Sequence, residues 1–297
     1  LDEFDYFQCS KCECLQIAKI PKDLSAYYPK NYYSFELVDE SFLNKQPRKF
    51  LRNIKNSYSI FKQGLVGKFL NYINQNSPYE FLSNIKISKH SSILDIGCGN
   101  GMFLYGLKTL GFKNVIGIDP FIEKNIKYNN KLQIQKKSIF EINKKFDLII
   151  LNHSFEHMAN PLEVMKKISK ILNKKGVCVI RTPTVDSYSW SFYKENWVQL
   201  DAPRHLFIHS LKSLIFIAKK FDLKISNHIY DSTSFQFWGS EQYLKNIPLN
   251  SEKSFLRSPL KSIFSNHEIK KFEKAAKKLN KNKRGDQAVY ILKKINE

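Results

Sequence analysis

The chain has 297 residues, 42% of them hydrophobic and 25% charged, which excludes a disordered or collagen-like polymer and allows a sizeable core without disulfide staples. Its formal charge is +21, yet only six of the 48 basic residues are Arg and the Lys residues are scattered. That favours solvated lysines over a bidentate reader of nucleic acid, and leaves an anionic small ligand, RNA or an anionic membrane surface as the other uses of the charge.

Residues 1–35 form a Cys-rich segment. It contains YFQCSKCECLQI, in which Cys9 and Cys12 make half of the four-ligand set that tetrahedral zinc takes. The chain opens without Met, so a preceding segment is expected; LDEFDYF has no signal-peptide shape. The five cysteines (9, 12, 14, 98 and 178) suggest no disulfide framework, and no apolar run reaches the roughly 18 residues that span a bilayer. A cytoplasmic protein without a membrane span is expected. Residues 36–89 read as a helical cap. Apolar residues recur at Phe42, Phe50, Ile54, Phe61, Leu65, Phe69 and Ile73, and Pro47, Gly64 and Gly67 divide the stretch.

From residue 90 to 297 strand and helix signals alternate. SSILDIG reads as a strand, GMFLYGLKTLG as a helix and KNVIGIDP as a strand. FIEKNIKYNN reads as a helix, KLQIQKKSI as a weak strand and KFDLIILNHS as a buried strand. NPLEVMKKISKILNKKG reads as a helix entered at Asn160 and Pro161 and ended by Gly176. GVCVIRTP is the next strand, followed by a polar, aromatic loop over 183–209, a helix at 210–221 and a strand at LKISNHIYD. An insert over 232–284 is basic and mostly helical, and RGDQAVYILKK closes the chain as a strand. The alternation predicts βαβ units and a parallel sheet.

The glycines of ILDIGCGNGMFL stand where a buried strand runs into a helix. There, free N–H groups face outward and a ligand approaches the backbone closely. Nucleotide ligands dock at such turns. The spacing G-x-G-x-G puts Met102 at the third-glycine position of the dinucleotide fingerprint, and Asp95 opens the turn with a carboxylate suited to an ammonium or sulfonium. Asp119 ends the next strand, where an acid can bridge ribose hydroxyls.

LDIGCGNG, VIGIDP, FDLIILNHSFEHMANP and KKGVCVIRTP, in this order, resemble successive motifs of the class I S-adenosylmethionine-dependent methyltransferases, over about residues 90–231 and 286–294. The resemblance implies an α/β, Rossmann-like sheet of seven strands with the last antiparallel, and S-adenosyl-L-methionine as cofactor. It implies that Gly97, Gly99 and Gly101 cradle the methionine part, beside Asp95, and that Asp119 holds the ribose. Ser138 stands where many members carry an acid near the adenine, so the backbone near Ile139 is an alternative contact. Asn152 and His153 are expected to line the reactive end. WVQLDAPRHL and AYYPKNYYSF further resemble a subgroup associated with polysaccharide and lipopolysaccharide biosynthesis, whose members carry an N-terminal zinc-ribbon-like segment. That implies zinc in the full-length protein, with Cys9 and Cys12 as ligands and Cys14 as an alternative third. Free thiols are the competing reading.

Methyl transfer asks the protein mainly for in-line geometry, and a hydroxyl acceptor adds the need for a base. His205 is the expected base, with His153 a second candidate. Arg204 is expected to pair with an acceptor phosphate or carboxylate, Trp197 to offer a sugar-stacking floor, and Asp201 and His157 to contact substrate. Two structural readings compete: a hydrogen-bonded knot of Asp201, Arg204 and His205, and loop anchoring by Glu156 and His157. No NPPY tetrapeptide or Pro-Cys pair marks a base-modifying enzyme. The expected function is methylation of a hydroxyl, less readily a carbon, of a saccharide or surface-polysaccharide precursor. The alternatives are an RNA methyltransferase, a nicotinamide-dependent sugar-modifying enzyme and a non-catalytic binding module. The acceptor's identity and the oligomeric state stay open.

Overall fold

Buried parallel strands set the architecture. In the computed structural model, which describes residues 2–28, 34, 35, 37, 39–74 and 77–295, β3 (Ser92–Ile96) carries Ile93, Leu94 and Ile96 with almost no exposure. It pairs in parallel with β4 (Asn114–Ile118) on one side and β7 (Phe146–Asn152) on the other, so that Leu94 lies opposite Ile116 and Ile149. Strands covered on both faces read as continuous apolar runs, as ILDI and LIIL do.

The remaining elements, in chain order, complete two sheets and their helices. β1 (Tyr6–Gln8) and β2 (Leu15–Ile17) form an antiparallel hairpin extended by β9 (Phe207–Ile208). Then come α1 (Glu40–Leu43), α2 (Arg48–Phe61), α3 (Leu65–Ile73), α4 (Met102–Thr109), β5 (Ile126–Lys127) and β6 (Gln133–Gln135). After β7 follow α5 (Pro161–Ile171), β8 (Leu172–Pro183), α6 (Tyr188–Tyr193), α7 (Leu211–Lys219), β10 (Leu223–Tyr230), α8 (Phe235–Leu244), α9 (Asn266–Lys281) and β11 (Gln287–Lys294). The larger sheet runs β10-β11-β8-β7-β3-β4-β6-β5, with β10 and β11 antiparallel. This is the α/β, Rossmann-like arrangement expected from the sequence, with one short strand more.

The chain divides into two compact units. One takes residues up to 28, 153–166 and 180–296, and the other takes most of the remainder, including 29–152 and 167–179. The first has its own core, in which Trp197, Leu15, Ile208, Phe237 and Ala276 pack together. In the second, α4 turns Leu104, Tyr105 and Leu107 inward. Tyr79 donates its hydroxyl to the carbonyl of Phe103 on the same helix.

Three expectations need correction. FIEKNIKYNN forms no helix. It carries β5 and the turn back to β6, where Tyr128 N–H bonds the Leu132 carbonyl, Lys131 takes a positive φ of 65° and the Asn130 side chain accepts the Leu132 N–H. A local Asn-Asn turn outcompetes a weak helical pattern there. The helix from Pro161 stops at Ile171, five residues before Gly176. Leu172 is fully buried as the first residue of β8, and Asn173 donates to Asp147 Oδ1 at 2.7 Å. The aromatic loop over 183–209 is not structureless, since it contains α6 and β9. Part of AYYPKNYYSF, including Tyr32 and Tyr33, lies outside the described residues.

Replacing Leu94 by Ala removes a fully buried side chain between two paired strands. It is expected to destabilise the fold by about 2–5 kcal/mol, read as a lower urea midpoint with an unchanged slope.

Candidate active site

In the second unit the turn after β3 presents the three glycines with left-handed backbone, φ 72°, 54° and 78° at Gly97, Gly99 and Gly101. At Gly101 the constraint is twofold, because a Cβ there would also stand 2.4 Å from Ile134 Cδ1, a fully buried side chain. The turn folds back on the neighbouring strand. Gly97 N–H bonds the Ile118 carbonyl at 2.8 Å, and Gly99 N–H bonds Asp119 Oδ2 at 2.9 Å. Asp119 Oδ1 accepts from Phe121 N–H at 2.8 Å. Asn100 Oδ1 caps α4 by accepting from Met102 N–H, and Asn100 N–H bonds the Ser34 carbonyl at 2.7 Å.

Two buried carboxylates face this turn. Burial, and then repulsion from Asp119, push Asp95 up to about 8; its Oδ1 has no hydrogen-bond partner among the described residues. Burial also raises Asp119, which the N–H groups of Phe121 and Gly99 counter. A buried carboxyl group with one oxygen unpartnered, beside a glycine turn, fits a ligand that carries positive charge and needs close backbone approach. S-adenosylmethionine, with its sulfonium and ammonium, is such a ligand. The residues that would hold it are Asp95, Gly97, Gly99, Gly101 and Asp119.

Ser138 is already engaged. Its hydroxyl accepts from Phe140 N–H, and its own N–H bonds Glu141 Oε2 at 2.7 Å, in a capping box. Ile139 beside it is buried. Asn152 ends β7 in this same unit.

In the first unit a fully buried carboxylate, Glu156, sits among three imidazoles. Thr182 Oγ1 donates to Glu156 Oε2 at 3.0 Å. The other oxygen, Oε1, lies 3.4 Å from His153 Nδ1 but makes no well-aligned hydrogen bond. Ligating atoms of Glu156, His157 and His205 all lie within 4.8 Å of one another, so this trio is also the place where a metal ion could be shared. Burial opposes the charged form of Glu156, but the His153 contact and the fields of His157 and His205 hold the carboxyl below its usual range. Burial, with repulsion from His205, lowers His157 to about 4. His157 Nδ1 is 2.9 Å from the Arg204 carbonyl, and its ring lies edge-on to His205 at 4.7 Å between centroids.

The loop 199–206 closes on itself. Arg204 pairs with Asp201 Oδ1, and His205 Nε2 is 3.7 Å from Asp201 Oδ2. His205 Nδ1 bonds the Gln199 carbonyl at 2.7 Å, while Tyr6 donates its hydroxyl to the His205 carbonyl at 2.8 Å. Asp201 takes φ 41° to allow the turn. This geometry is that of the knot named among the sequence expectations: His205 is 5% exposed, whereas His153 is half-exposed at the start of its loop with φ 53°. Trp197 has no exposed surface and donates Nε1–H to Asp286 Oδ2 at 3.0 Å. A ring so enclosed offers no face for a sugar, which corrects the expected stacking floor. The buried carboxylate partner of the histidines, Glu156, was assigned only a loop-anchoring role from the sequence. Its one signal there is its place before His157 after an apolar strand.

Cys9 and Cys12 occupy the β1–β2 turn. Backbone N–H groups of Cys12 and Lys11 point at the Cys9 thiol and lower it. Cys14 turns inward, 3.7 Å from His209 Nδ1, where burial pushes its thiol up to about 12, and among the described residues it does not form a ligand-distance group with Cys9 and Cys12. His209 is buried against Phe155 as a packing residue.

A family model described as a methyltransferase domain matches residues 68–228, more than half of the chain. The chain belongs to the methyltransferase-domain family. It is an S-adenosylmethionine-dependent methyltransferase. It is similar to the ubiquinone biosynthesis O-methyltransferase of Pelagibacter ubique (strain HTCC1062), at 30% identity over 174 residues, 52% of this chain and 72% of that protein. It is also similar to the tRNA U34 carboxymethyltransferase of Campylobacter fetus subsp. fetus (strain 82-40), at 27% identity over 139 residues, 42% of this chain and 48% of that protein. The chain thus spans about half the length of that tRNA-modifying relative. Among solved structures it is similar to the cyclopropane synthase MmaA2 from Mycobacterium tuberculosis, with TM-score 0.47 and 15% identity over 82% of this chain and 93% of that one.

Gly101→Val combines positive φ with a clash against Ile134, and is expected to weaken S-adenosylhomocysteine binding by about tenfold or more in calorimetry. A second expectation concerns pH. Unfolded Asp95 ionises near 3.8, whereas the folded protein keeps its proton to about 8. Its contribution to stability therefore falls as pH rises between those values. Asp95→Asn should raise the urea midpoint, relative to wild type, more at pH 8 than at pH 5. His157 works in the opposite sense: folded near 4 against an ordinary 6.5, it costs stability as pH falls through that window.

Proposed function

We propose that the enzyme transfers the methyl group of S-adenosylmethionine to a hydroxyl of a saccharide or saccharide-like surface-polymer precursor. The observation that carries the hydroxyl acceptor is the Glu156 carboxylate among His153, His157 and His205. An amine acceptor loses its proton easily, while an alcohol benefits from a positioned base backed by a fixed charge. When bound, the donor supplies an electrophilic methyl carbon on its sulfonium. His153 takes the acceptor's proton in this reading. Its ring is half-exposed, and Glu156, itself held by Thr182, lies with Oε1 3.4 Å from His153 Nδ1. His157 stays neutral near pH 7 because of its burial. His205 is a positioning residue, which holds the 199–206 loop through Gln199, Asp201 and Tyr6. Arg204, partly exposed, pairs with a phosphate or carboxylate of the acceptor.

The saccharide class is supported by the resemblance of WVQLDAPRHL to polysaccharide-associated enzymes, and oxygen as the target atom by the O-methyltransferase relative. A second reading, RNA methylation, is supported by the tRNA-modifying relatives and the charge of +21. A labelled-methyl assay against sugar nucleotides, capsule-type oligosaccharides and transfer RNA separates the two; label in RNA alone would overturn the saccharide assignment. His153→Ala is expected to lower kcat by ~10²–10⁴-fold with S-adenosylhomocysteine affinity unchanged. His205→Ala should lower the urea midpoint more and kcat less. A kcat unmoved by His153→Ala removes that residue as the base.

A further inference from the structure

Helix α3 is amphipathic the wrong way round for a helix that packs on its own protein. At about 100° per residue, Leu65, Val66, Phe69, Tyr72 and Ile73 fall on one arc. All five are exposed, from 59% at Val66 to 85% at Leu65. The inward arc holds Gly67 and Asn71 instead. Gly67 lets α3 seat directly on α2, since a Cβ there would stand 2.6 Å from Tyr58 Cβ. Asn71 Oδ1 accepts from Ser59 Oγ of α2 at 3.2 Å. On α2 itself Phe50 is exposed as well. A contiguous aliphatic and aromatic face turned to solvent marks an interaction surface.

Charge indicates what covers it. Residues 41–79 contain Lys45, Arg48, Lys49, Arg52, Lys55, Lys62 and Lys68, and no Asp or Glu; Lys62 pairs with Glu80 just beyond, which leaves a cationic excess over the segment. Lys68 flanks the apolar arc on α3 itself and is exposed. Two copies of so one-signed a segment repel each other, which disfavours a self-interface. RNA would use the cations and aromatic rings, but Leu65, Val66 and Ile73 offer a nucleic acid neither stacking planes nor hydrogen bonds. An apolar helix face with a basic margin matches an anionic bilayer surface: the side chains enter the headgroup–acyl boundary and the lysines meet lipid phosphates.

We propose that the α2–α3 pair docks the enzyme on anionic lipid membranes, with the Leu65, Val66, Phe69, Tyr72 and Ile73 face inserted at the interface. No helix is long and apolar enough to cross a membrane among the described residues; the docking is peripheral. It does not depend on the identity of the methyl acceptor.

The test is vesicle flotation of the full chain, using phosphatidylcholine vesicles with one-third phosphatidylglycerol and vesicles of phosphatidylcholine alone. The wild type is expected to float with the anionic vesicles, and about tenfold less with the neutral ones or in high salt. Leu65→Ser/Phe69→Ser should lose about tenfold of the anionic partition while keeping its thermal midpoint and its S-adenosylhomocysteine-induced shift. Leu65→Trp should show blue-shifted emission on the anionic vesicles. Absence of flotation, equal flotation of the double variant, or an unmoved Leu65→Trp emission would each overturn the proposal. So would a double variant that loses transfer-RNA binding or a light-scattering dimer when the wild type shows no vesicle partition. Because flotation needs no acceptor, failure of the saccharide assay leaves this result standing.

Discussion

One hydrogen bond, from Gly99 N–H to the Asp119 carboxylate, organises the glycine turn of this enzyme. It ties the tip of β4 to the turn that follows β3, and the Gly97 N–H to the Ile118 carbonyl repeats the tie one turn earlier. The turn is therefore held open by its neighbour strand rather than collapsed on its own helix. That arrangement buries two carboxyl groups, Asp95 and Asp119, and Asp119 adds to the burial that disfavours the charge of Asp95. Burial of two carboxyl groups at this turn costs free energy, and a bound positive charge beside them would offset it.

The second polar centre follows the same physics with opposite sign. Glu156 is wholly buried, and what keeps it ionised is a hydroxyl from Thr182 and the surrounding imidazoles. The imidazoles in turn are fixed through backbone carbonyls, His157 through Arg204 and His205 through Gln199. Fixing one ring nitrogen of each holds His157 and His205 in place around the carboxylate. His153 and Asp201, at the edges of this centre, both take positive φ.

The charge of the chain also finds a place. Spread over 297 residues, the excess of lysine looks like ordinary solvation. Across α2 and α3 it becomes one-signed, beside a helix whose apolar arc faces outward because a glycine and an asparagine face inward. Neither the charge nor the apolar stripe alone carries a meaning there; their coincidence does.

The sequence by itself determined the parallel core and the glycine turn, because both rest on local chemistry: ILDI and LIIL can be stable only where both faces are covered, and three alternate glycines permit positive φ at that turn. It also revealed the aspartates that flank the turn. The tertiary structure alone decided which histidines share a carboxylate, since Glu156 and His205 are 49 positions apart and meet only when the 199–206 loop closes. It decided that Trp197 is a core residue bonded to Asp286, 89 positions away, and not a sugar platform. It decided, too, that the α3 stripe faces out. Helical periodicity shows that one side of a helix is apolar, and only packing against a neighbour shows which side that neighbour takes.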